Sequence, residues 1–257
     1  MHAKASAVAH LENDEVRAFV ASMPTRYAEL FDDEAVRAHA AIVERRGAAA
    51  TRVEQWRTLP NGGSAICVVA DDGPGLLSRI SAALIVHGMD VVCAQAYCRM
   101  RTDSCLEAVD LFWVRPLPEH PRPSVGALDV VRMGEVLEAL VKAENDLTPG
   151  LRFATTFRER RTGSPTRVRF ERDAAGTPTI LAIETDNRPG LLLAICTALL
   201  QLRIQITASD VRTEDGRACD EFRLAELDGR PLLASRKLEV QTQVLSAIES
   251  LWNDSAL

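Results

Sequence analysis

Two short stretches of this chain carry the residues best suited to hold a small molecule. One runs DDGPGLL from Asp71 and the other TDNRPGLL from Thr185. Each follows an apolar run and opens a stripe of apolar residues at helical spacing. A strand that turns straight into a helix leaves the first helical N–H groups without internal partners, and the helix dipole adds partial positive charge there. A carboxylate fits such a terminus. Gly73, Gly75 and Gly190 allow close approach to the backbone. The candidate binding residues are Asp72, Gly73, Pro74, Gly75 and Leu76 in the first turn, and Asn187, Arg188, Pro189, Gly190 and Leu191 in the second. Asp72 and Asn187 would equally serve as helix caps. Arg188 is expected in solvent, with an anion as its alternative partner. Proline lacks only an N–H that the first helical position does not use, so both helices are expected to start at Pro74 and Pro189.

The elements around the turns repeat. Pro74 and Pro189 align at an offset of about 115, and Thr51-Arg52-Val53 answers Thr166-Arg167-Val168 at the same offset. Downstream the alignment drifts: DLFWV at Asp110 answers DEFRL at Asp220, so the first copy has about five extra residues between landmarks. Each copy reads as a buried strand (65–70; 180–184), a helix, two strands joined by a hairpin (91–100 and 106–114; 204–213 and 218–227) and a second helix (125–143; 235–251). Gly88 is expected to close the first helix, whereas Arg203 stands at that place in the second copy. PLPEHPRP, from Pro116, is the clearest loop. This order predicts α+β modules of ferredoxin-like type, with helices on one face of an antiparallel sheet. Too few residues follow the last helix for a closing strand. The runs at Val53 and Val168 are therefore expected to supply a leading edge strand, giving βαββα modules with that strand in front. The expected organisation is an N-terminal helical segment at 1–50, a first module at 51–150 and a second at 151–257.

Composition narrows the function. The chain has 257 residues, 47% hydrophobic and 26% charged, with a formal net charge of −6. That excess offers no field for nucleic acid or anionic membranes. The basic clusters RERR (Arg158 to Arg161) and Arg167 with Arg169 read as solvated surface. No apolar run approaches the roughly 18 residues a membrane span requires, and the N-terminus resembles no signal sequence, so a cytoplasmic protein is expected. Six cysteines lie mostly in apolar stretches with no C-x-x-C pair. They read as small hydrophobes, with no metal, cofactor or disulfide framework implied.

The stretches DDGPGLLSRISAALIVHGMDVV and TDNRPGLLLAICTALL resemble the D-x-x-P-G-L signature of ACT domains. More narrowly, the chain is similar to the C-terminal half of the bifunctional PII uridylyltransferase/uridylyl-removing enzymes. ELDGRPL (Glu226 to Leu232) and the segment from Ala21 to Arg45 extend the resemblance to roughly residues 13–252. The resemblance implies tandem ACT modules. It also implies an amino acid held at the turn of one module against the start of the second strand of its neighbour, where this chain has Asp90 and Gln205. A carboxylate at Asp90 suits a ligand's ammonium group, and Gln205 both donates and accepts.

The catalytic residues of those enzymes do not carry over. Gly63-Ser64 with Asp71-Asp72 only imitates a nucleotidyltransferase turn, because the carboxylates are adjacent. No His-Asp dipeptide occurs, and five scattered histidines do not make a hydrolase metal set. The expected function is non-enzymatic sensing of an amino acid, glutamine first, in nitrogen or amino-acid metabolism. The alternatives are a ligand-free interaction or oligomerisation module, and a regulatory fragment of a PII uridylyltransferase. The two modules are expected side by side, in one chain or across a homodimer, acting on a regulated partner protein.

Overall fold

The computed structural model describes residues 14–117, 123–143, 162–173, 176–177 and 179–253. RERR and most of PLPEHPRP lie outside the described residues. Three helices come first: α1 (Asp14–Ser22), α2 (Thr25–Leu30) and α3 (Asp33–Arg46). The first repeat follows as β1 (Thr51–Thr58), β2 (Ser64–Asp71), α4 (Leu76–Val86), β3 (Met89–Met100), β4 (Leu106–Pro116) and α5 (Ala127–Ala143). The second is β5 (Arg167–Glu171), β6 (Ile180–Asp186), α6 (Leu191–Gln201), β7 (Ile204–Glu214), β8 (Arg217–Glu226) and α7 (Ala234–Asn253).

All eight strands form one antiparallel sheet in the order β1-β2-β4-β3-β7-β8-β6-β5. The leading strands β1 and β5 take the outer edges, as the repeat predicted. The halves join where β3 pairs β7 from Cys93↔Arg212 to Ala96↔Ser209. Within that pairing Gln95 meets Asp210, its own counterpart at the 115 offset. An approximate twofold axis therefore passes through the pair. The β-bulges at Val91/Cys93 and Ile206/Ala208 obey the same offset.

One face of the sheet carries α4 to α7. Helices α4 and α6 meet each other across the junction and also touch α5 and α7 respectively. A helix apolar all round belongs inside a protein, and Leu77, Ile80, Leu84, Leu192, Ile195 and Leu199 are all buried. These helix contacts and the β3–β7 pairing both tie the halves together. The other face differs between halves. Helices α1 to α3 cover the first through Phe19, Tyr27, Val36 and Ile42, packed on Val69, Val109 and Leu111. The second half presents Arg167 and Arg169 there, paired with Glu184. This is the solvated surface that the sequence suggested.

The helix starts differ from expectation. Pro74-Gly75 and Pro189-Gly190 form turns ahead of the helices: Leu76 N–H donates to the Gly73 carbonyl at 3.2 Å, and Leu191 N–H to that of Arg188 at 3.2 Å. Proline sets the first central residue, and glycine at φ 77° or 82° takes the left-handed second. The helices begin one residue later, at Leu76 and Leu191. Gly88 at φ 70° ends α4, and Arg203 adopts the same left-handed conformation after α6 at φ 58°.

Candidate functional site

Each turn faces the start of the other half's second strand. The Asp72–Leu76 turn meets Gln205 on β7, and the Asn187–Leu191 turn meets Asp90 on β3. The twofold relation makes this inevitable once β3 and β7 pair, because each helix N-terminus then overhangs its partner's strand. Eight of the ten turn residues and both strand residues, widely spaced in sequence, thus line two related cavities between the halves, while Pro74 and Pro189 line neither.

The first site is acidic. Gln205 Nε2 donates to Asp72 Oδ2 at 3.3 Å, and the Cys98 thiol lies 3.4 Å from the same oxygen. Asp72 caps no helix, and no side chain caps α4 or α6. Burial pushes the Asp72 carboxyl above its ordinary range, partly offset by its hydrogen-bond donors. Beside it lies Asp110 on β4, which sequence reasoning passed over. Asp110 is 3% exposed on the helix-facing side of the sheet. Burial, reinforced by the charge of Asp72, drives its carboxyl far up. Ser78, in the first turn of α4, is 1% exposed and its Oγ has no hydrogen-bond partner.

The second site is built otherwise. Asp90 is bound by Arg115, with 2.8 Å between Arg115 Nη2 and Asp90 Oδ2. Burial raises its carboxyl and Arg115 lowers it. Arg188 is not in solvent: it is 1% exposed, donates to the Leu251 carbonyl, and stacks its guanidinium 4.7 Å from the Trp252 ring centre. The end of α7 folds over the turn and excludes water, which the local sequence around Arg188 did not foretell. Asp220, opposite Val211 as Asp110 is opposite Ala96, is also buried, and burial lifts its carboxyl to about 7. A signal for both aspartates was available. They are interior strand positions, where aspartate is disfavoured, and both copies have one.

Each site encloses a cavity of about 30 Å³, room for a water or two. A whole amino acid does not fit in that space. Leu200 of α6 closes the first site: a Cβ on Gly75 would lie 2.7 Å from it. Enlarging Gly75 would therefore strain the turn and the junction together, as well as any ligand contact.

Among the described residues no group of three or more His, Cys, Asp or Glu side chains could hold a metal ion, and no helix is long and apolar enough to cross a membrane. All six cysteines are free.

No family model matches the chain. It is similar to bifunctional uridylyltransferase/uridylyl-removing enzymes. That of Rhodospirillum rubrum is 28% identical over 95% of this chain and 27% of its own length. That of Gluconobacter oxydans is 29% identical over 77% of this chain and 21% of its own. That of Caulobacter vibrioides is 24% identical over 96% of this chain and 26% of its own. Among solved structures, an aspartate kinase from Synechocystis aligns over 75% of this chain at 11% identity with a TM-score of 0.37, too low to bear on the fold. The chain spans about a quarter of the length of these curated relatives. The similarity is to a small share of a bifunctional enzyme, and it relates this chain to that part of those proteins.

Proposed function

We propose that this chain is a regulatory unit of the kind found in PII uridylyltransferase/uridylyl-removing enzymes, built from two ACT modules that respond to an amino acid at their junction. Similarity along 95% of the chain to about a quarter of such an enzyme carries the regulatory part of this reading. The amino-acid part rests on the convergence of each turn with its partner strand, Asp72 with Gln205 and Asn187 with Asp90. Glutamine is the first candidate, by the resemblance to enzymes of nitrogen control. A ligand acts here by differential affinity: it binds an arrangement with the halves parted and draws the equilibrium toward it. The small size of both cavities favours a second reading, in which the halves simply pair and take no ligand. A thermal-shift screen of the twenty amino acids at millimolar concentration separates the two. The sensor reading expects at least one, glutamine foremost, to raise the melting temperature by about 2 °C or more. Twenty unchanged melting curves would leave structural pairing as the function.

A further inference from the structure

We propose that the cavity under the first turn is a pocket for the ammonium group of a small amine, gripped by Asp72 and Asp110 with Ser78 and Gln205 as neutral partners. This rests on the reading of the junction as a ligand site. It reverses the polarity that the helix terminus alone would suggest.

Charge decides the polarity. The N-terminus of α4 contributes roughly half a positive charge. Against it stand two carboxylates, Asp72 from the turn and Asp110 from the strand beneath, and none of the residues lining this cavity is lysine, arginine or histidine. A ligand carboxylate placed here would face the Asp72 carboxylate and a second buried acid, Asp110, in a poorly solvated space. An ammonium group would meet the Asp72 carboxylate, the side-chain carbonyl of Gln205 and the hydroxyl of Ser78, and its charge would favour the ionised form of Asp110 beneath. Ser78 Oγ is the independent pointer to a ligand. It is buried, lines the cavity and has no hydrogen-bond partner, an unfavourable state for a hydroxyl unless something fills the place. The cavity also has the size of the group. About 30 Å³ admits a water-sized head but not a whole amino acid. The second cavity lacks this character, because Arg188 lines it and Arg115 already neutralises Asp90.

Titration calorimetry on the full chain tests the proposal with three probes. L-Glutamine has both charged groups, L-glutaminamide keeps only the ammonium, and N-acetyl-L-glutamine keeps only the carboxylate. L-Glutamine and L-glutaminamide are expected to bind and N-acetyl-L-glutamine to bind at least about tenfold more weakly. D110N is expected to lose about tenfold or more for the first two. D72N should lose as much, and it keeps the fold because Asn187 holds the equivalent place. D228N, in an exposed turn, serves as control. If N-acetyl-L-glutamine binds as well as L-glutamine, or if folded D110N or D72N keeps parental affinity, the ammonium assignment is overturned while the ligand site stands. If no probe binds the parent and no amino acid shifts its melting curve, the site and the assignment fall together.

Discussion

At the scale of single residues, the molecule's most consequential choice is a pair of buried acids. Asp110 and Asp220 stand at matching places beneath the helices, where leucine or valine would be cheaper. Asp220 has the Arg212 backbone N–H at 3.4 Å, and Asp210 and Arg212 add opposing charges nearby. Its folded carboxyl is raised to about 7, so between the ordinary carboxylate range and pH 7 the folded chain holds a proton that the unfolded chain has released. The sign follows: stability from this group is present below that range and is lost as pH rises toward 7. D220N removes the term. Urea midpoints at pH 5 and pH 8 are expected to show the variant gaining on the parent at pH 8, by about 1–4 kcal/mol. Equal gains at the two pH values would mean that Asp220 ionises freely in the fold. The turn residues themselves were legible in the sequence, because P-G-L-L following an apolar run has few other uses. The acids left a signal only in the repeat, which sets Asp110 against Asp220, since a single aspartate in an apolar strand reads locally as an edge or a turn.

At the scale of elements, the repeat made the strands, helices and leading edge strands readable, and the structure moved the helix starts by two residues. Missing from the sequence reading was the place of α1 to α3. Their apolar faces are short, and only the packed sheet shows that they cover the back of the first half. Two devices hold them there. Arg46, buried at the end of α3, reaches Glu107 on β4 at 2.6 Å and Asp71 at 2.7 Å, the residue before the first turn. Removing one partner of such a buried pair costs about 3–5 kcal/mol. His39 on α3 lies among Tyr27, Phe31 and Trp56, with its Nδ1 2.7 Å from Tyr27 Oη. Burial, helped by Arg57, lowers its pKa to about 3. The unfolded chain takes up a proton below about pH 6.5 and the folded chain does not, so this contribution is intact above that pH and fades as pH falls toward 3. Tryptophan fluorescence during urea unfolding at pH 7 and pH 5 is expected to show H39Q improving relative to the parent by about 1 kcal/mol on acidification. An identical acid response in the two proteins would contradict a buried neutral histidine.

At the scale of the whole molecule, two similar halves share one sheet, and their junction is lined by the turn and strand residues that the sequence singled out, the two prolines excepted. Helix contacts between α4 and α6 and the β3–β7 seam beneath them together tie the halves. The seam was legible only in part. Side-by-side packing followed from unpaired sheet edges, but the choice of β3 and β7 is fixed by the twofold relation, which strand patterns do not encode. The central claim is that a small molecule is bound between the halves. Amide hydrogen exchange with and without saturating L-glutamine measures this directly. The account predicts slower exchange at residues 72–78 and 204–207, with little change in the exposed strand β5. Unchanged exchange throughout, or protection confined to the back face near Arg26 and Asp210, would contradict it.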